Sequence, residues 1–112
     1  MQIKQEEKSG ISVCYPIGEI NINTAPQAKK ILDRLISAKK EKIILNFKDV
    51  SYVDSSGLAV LVQILKGMRS YGGKLKLTNL STKVNNLFEI TKLTKLFDIE
   101  PEEEAALDGL RE

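Results

Sequence analysis

Seven of the eight residues from Leu58 to Leu65 are apolar, and only Gln63 breaks the run. A helix that is apolar on every side has to be buried on most of them, so this segment belongs inside a layered structure. Its neighbours supply the layers. Ile43-Ile44-Leu45-Asn46-Phe47 is a short apolar run of the kind found in a buried central strand, and Lys74-Leu75-Lys76-Leu77-Thr78 alternates with the period of a strand. Met68 extends the helix face and Gly72-Gly73 ends it. Strand, buried helix and strand in succession predict a parallel crossover.

From Ile11 the chain alternates, with Ile11, Val13, Tyr15 and Ile17 on one face and Ser12, Cys14 and Pro16 on the other. That is the pattern of a half-buried strand, and Pro16 points to an edge or an end. Gln2 to Glu7, joined to it through Lys8-Ser9-Gly10, is expected to complete an antiparallel hairpin. Thr24-Ala25-Pro26-Gln27 has the form of a capping box. Behind it Ala28, Ile31, Leu32, Leu35 and Ile36 recur at spacings of three and four, as in an amphipathic helix lying on a sheet. Ser81 can cap a third helix lined by Val84, Leu87, Phe88 and Thr91. Leu96 to Ile99 makes a last short strand, and Pro101 opens an acidic helix whose Glu102, Glu103 and Glu104 suit the positive end of a helix dipole. The order predicts an α/β fold, a single domain over residues 1–112 with a mixed sheet of about four to five strands flanked by about four helices.

Composition removes whole classes of chemistry. The chain has no histidine and one cysteine, so an imidazole base, an imidazole metal ligand and an internal disulfide are all excluded. No apolar run approaches the roughly 20 residues that span a bilayer, and the first residues lack the apolar core of a signal peptide. A cytoplasmic protein without membrane insertion is expected. Residues 98–112 carry seven acids and one base, which leaves 16 bases against eight acids on residues 1–97. The bases are scattered, and three Phe and three Tyr offer little for base stacking, so solvated lysine-rich faces are expected rather than a direct nucleic-acid site.

The chemistry-bearing segment is Val53-Asp54-Ser55-Ser56-Gly57-Leu58, between the central strand and the most buried helix. Asp and Ser are common helix caps, and Gly57 permits close packing. A second reading is that one of these serines projects from the first turn and gains a phosphoryl charge beside unpaired backbone N–H groups. A serine nucleophile lacks its surroundings. There is no G-x-S-x-G elbow, and neither Lys48 nor Lys66 sits in a motif that would make it a base. Asp49 and Asp54 lack the further acids of a magnesium site, so no catalytic residue, no metal and no cofactor are expected.

Val53-Asp54-Ser55-Ser56-Gly57-Leu58, preceded by Ile43-Ile44-Leu45-Asn46-Phe47-Lys48-Asp49-Val50, resembles the STAS domain of bacterial anti-sigma factor antagonists. Gly18-Glu19-Ile20-Asn21-Ile22-Asn23-Thr24-Ala25 is similar to that family's loop into the first helix. Gly72-Gly73-Lys74-Leu75 and Leu87-Phe88-Glu89-Ile90-Thr91-Lys92-Leu93 follow in order, so the likeness runs from about Ile11 to Ile99.

The resemblance implies a non-catalytic switch. The unphosphorylated domain would bind an anti-sigma factor, commonly an ATP-binding Ser/Thr kinase, and free a sigma factor. Phosphorylation would break the complex and a phosphoserine phosphatase would restore it. By position in the motif the resemblance implies that the phosphorylated residue would be Ser56, and that Asp54, Ser55, Gly57 and Leu58 with Asn21 and Thr24 would form the partner surface. Many members of the family carry Asp where this chain has Asn21, an amide that hydrogen-bonds without adding charge. The alternative is a non-switching scaffold subunit of a signalling assembly or a separate partner of a transporter.

Overall fold

The computed structural model describes residues 1–111. Its strands are β1 (Gln2–Lys8), β2 (Ile11–Ile20), β3 (Lys42–Asn46), β4 (Val50–Val53), β5 (Lys74–Thr78) and β6 (Asp98–Glu100). The helices are α1 (Ala25–Ser37), α2 (Ser55–Arg69), α3 (Thr82–Ile90) and α4 (Glu103–Leu110), with a 3-10 turn at Leu93–Lys95. The strands form one mixed sheet in the order β1-β2-β3-β5-β6, with β4 pairing β2 off that path. Only β1 runs antiparallel to its neighbour.

The expected buried helix is α2. Leu58, Val60, Leu61, Ile64, Leu65 and Met68 are buried on it, in the core that includes Leu32 and Leu35 of α1 and Val84 and Phe88 of α3. A second, smaller core lies where α4 meets the sheet: Ala106, Leu107 and Leu110 cluster with Ile11, Val13, Tyr15 and Ile44. The sheet is therefore covered on both faces, as parallel strands require.

This explains two departures from the alternation in β2. Ser12, Cys14 and Pro16 are buried as fully as the residues between them, and β2 is an interior strand rather than an edge. Pro16 is tolerated because β3 pairs with Ser12, Val13 and Cys14 while β4 pairs with Gly18 to Ile20, leaving a gap between. The Gly18 N–H points into β4's side of the strand, to the Asp49 carbonyl at 2.9 Å, and Pro16 faces the same way. No ladder bond is required of the nitrogen that has no hydrogen. Cys14 is an inert core residue, its thiol pushed up to about 12 by burial and by the nearby Glu7 charge.

β4 is the element that the sequence pattern does not mark. Residues 47–49 interrupt pairing after β3, and the chain then resumes beside a later stretch of β2. Four residues suffice to carry the backbone to the start of α2. Among the described residues no helix is long and apolar enough to cross a membrane.

Candidate functional site

β4 delivers Asp54 to the mouth of α2, and the last bond of the β2–β4 pairing runs from the Asp54 N–H to the Ile20 carbonyl at 3.1 Å. Asp54 is the N-cap, with extended backbone, and its Oδ1 accepts from the Gly57 N–H at 3.0 Å. Its Oδ2 accepts from the Ile22 N–H at 3.1 Å. One carboxylate thus satisfies a helix-end donor and holds the loop between β2 and α1 across the start of α2.

Gly57 fits because nothing larger does. A Cβ there would stand 2.6 Å from the Ile20 carbonyl oxygen and 2.8 Å from Val53 Cγ1. The first turn of α2 is seated directly on the end of β2, and Leu58 turns into the core beside it.

The loop has its own lock. Asn21 Oδ1 accepts from the N–H groups of Asn23 at 2.9 Å and Thr24 at 3.1 Å, a turn closed by a side chain. Thr24 Oγ1 accepts from the Asn21 N–H at 2.9 Å and donates to the Glu19 carbonyl at 2.7 Å. The capping box expected at Thr24 is therefore absent. Its hydroxyl is engaged upstream and makes no cap bond to α1, and Gln27 contacts the N-terminal amine instead.

Asp54, Asn21 and Thr24 are half-buried, Ser55 is exposed, Ser56 is half-buried, and Gly57 and Leu58 are buried. Neither serine hydroxyl is hydrogen-bonded to another described residue, and Ser56 Oγ is not one of the buried side-chain oxygens that lack a partner. It reaches solvent. The first turn of α2 contains no acidic residue, while Lys66 and Arg69 occupy the last turn, so the helix dipole is uncompensated at the serine end apart from Asp54.

Sequence reasoning missed an apolar rim. The large apolar side chains exposed among the described residues are Ile22 at 71%, Tyr52 at 37% and Ile90 at 78%. Ile22 hangs from the loop that Asp54 holds, and Tyr52 precedes Asp54 by two residues. Ile90 and Tyr52 line a hollow of about 170 Å³ with Val53, Val84 and Leu87, where Lys83 Nζ lies 5.0 Å from the centre of the Tyr52 ring. The only advance signal was Ile22, a lone apolar residue between two asparagines.

Such a site offers a hydroxyl, a fixed carboxylate and exposed apolar side chains, which suits docking and modification. Residues 2–106 match the family described as STAS domain. An anti-sigma-B factor antagonist of Bacillus subtilis is 40% identical over 90 residues, covering 80% of this chain and 82% of that protein. A crystal structure from Thermotoga maritima is 29% identical, with a TM-score of 0.93 over 98% of this chain and 95% of the other. The Bacillus cell fate determinant SpoIIAA in its phosphorylated form is 23% identical, with a TM-score of 0.75 over 98% of this chain and 100% of that one, and shares the fold.

Proposed function

We propose, from the premise that the chain belongs to the STAS domain family, that it acts as an anti-sigma factor antagonist whose docking surface is switched at Ser56. In the unphosphorylated state the mouth of α2 receives an anti-sigma factor that is itself a Ser/Thr kinase. The partner surface consists of Asn21, Thr24, Asp54 and Ser55, with Gly57 and Leu58 fixing the helix start beneath them. Ile22 adds the apolar contact. The observation that carries this reading is the Ser56 hydroxyl, without a protein hydrogen-bond partner and not sealed from solvent, in the first turn of a helix packed closely on the end of β2.

A phosphoryl group there adds a charge of about −1.5 to −2. The helix end stabilises an anion by typically 0.3–1 kcal/mol, so the domain stays folded. An acidic group on the partner about 6 Å away meets a repulsion of roughly 3 kcal/mol per unit charge at an effective dielectric of about 20. That is about a hundredfold in affinity, enough to release the partner. A phosphoserine phosphatase reverses the step. The protein performs no turnover of its own in this scheme.

Incubation with the cognate kinase and ATP, followed by mass spectrometry, tests the assignment. One phosphoryl group on Ser56, and none in Ser56→Ala, is expected. Modification only at another residue, persisting in Ser56→Ala, overturns it.

A further inference from the structure

β1 is an edge strand that pairs with β2 on one side only, and most of its residues are exposed. A row of unpaired backbone N–H and C=O groups is a template for another strand, and edge charges decide which strands are admitted. Gln2, Lys4, Glu6 and Lys8 share one face, and Ile3, Gln5 and Glu7 the other.

Two identical strands that pair antiparallel across a two-fold axis meet with one residue opposite its own copy. If that residue is Lys4, lysine faces lysine and only five residues of β1 overlap; if it is Glu6, glutamate faces glutamate and Lys4 faces Lys8. If it is Gln5, all seven residues overlap and Lys4 faces Glu6 twice. The Gln5 amide, both donor and acceptor, can pair with its own copy. Lys4 has no ion pair among the described residues, whereas Lys8 is bound to Glu103 at 2.7 Å and Glu7 lies 3.6 Å from Lys40. The one unengaged charge of β1 is thus the one this register satisfies.

We propose that the open edge of β1 is a homotypic docking site, at which a second copy of the chain adds its own β1 antiparallel in the register centred on Gln5. The charges that refuse neighbouring registers select this one. An edge of seven residues is small, so the dimer is weak and forms at high protein concentration and low salt.

Sedimentation equilibrium on the intact chain at low ionic strength tests this. Lys4→Glu and Glu6→Lys should each weaken self-association by about tenfold or more, because each turns two attractive cross-strand pairs into repulsive ones. The double variant should recover it, and an equimolar mixture of the single variants should form a heterodimer tighter than either homodimer. Hydrogen exchange of wild-type β1 amides should slow as concentration rises, which decides the matter if a variant misfolds. A wild type that stays monomeric at about 1 mM, single variants that associate like wild type, an unrecovered double variant, or concentration-independent β1 exchange would each overturn the proposal.

Discussion

The Asp54 carboxylate joins Ile22 to the start of α2, one oxygen accepting from the Ile22 N–H at 3.1 Å and the other from the Gly57 N–H at 3.0 Å. The exposed isoleucine of the loop between β2 and α1 is thereby held in register with the serine helix, although Ile22 and Ser56 stand 34 positions apart in sequence.

Asp54→Ala should cost about 1–2 kcal/mol in urea unfolding, through the lost N-cap and the released loop. Asp54→Asn should cost less, since its amide oxygen still accepts one bond while its NH₂ cannot accept the other. Equal stability of wild type and Asp54→Ala would contradict the clamp.

Gly57→Ala should destabilise by about 1–3 kcal/mol, because the added methyl meets a backbone carbonyl that has nowhere to move. Ser55→Ala, at an exposed position, should stay within about 0.5 kcal/mol. Thermal unfolding of the pair separates packing from position.

Ser56→Asp should be at least as stable as wild type, since an acid in the first turn of a helix is favourable by about 0.3–1 kcal/mol. It should nonetheless bind the cognate anti-sigma factor about tenfold more weakly in calorimetry. Asn21→Asp keeps the Oδ1 acceptor that closes the turn, so stability should change by less than about 0.5 kcal/mol. Loss of fold in that variant would show that the amide is itself required.

Glu103 gives the acid response a sign. Burial pushes its pKa up, but hydrogen bonds from Lys8, Tyr15 and Asn46 outweigh it, and the carboxyl ends below its usual value of 4.5. A depressed folded pKa means that the stabilisation is present above about pH 4.5 and is lost as pH falls through the folded value. Glu103→Gln should therefore be less stable than wild type by about 1–2 kcal/mol at pH 7, with the gap closing as pH falls through the depressed folded value. A gap that is constant from pH 7 to pH 3 in urea titrations would show that the carboxylate charge plays no part.

The elements with a strong local period were legible: α2 through its apolar run, and β2 and β5 through alternation. β4 was not, because Val50-Ser51-Tyr52-Val53 is buried only at its two ends and gains its strand character from Gly18 to Ile20, far away in sequence. Thr24 misled for a related reason. The spacing to Gln27 fits a capping box, but the hydroxyl is claimed by Glu19 and Asn21 once the loop closes. The site showed the same division. Asp54 and Gly57 announced a helix start, whereas the exposure of Ile22, Tyr52 and Ile90 depends on how separate segments converge.

The seat of Gly57 against the Ile20 carbonyl packs the backbone beneath the serines too closely to admit even a methyl group. Under the proposed scheme, a message written on Ser56 would act through its electric field rather than through a change of contour. Erasing it would then demand no rearrangement, and the tempo of such a circuit would rest with the enzymes that write and erase.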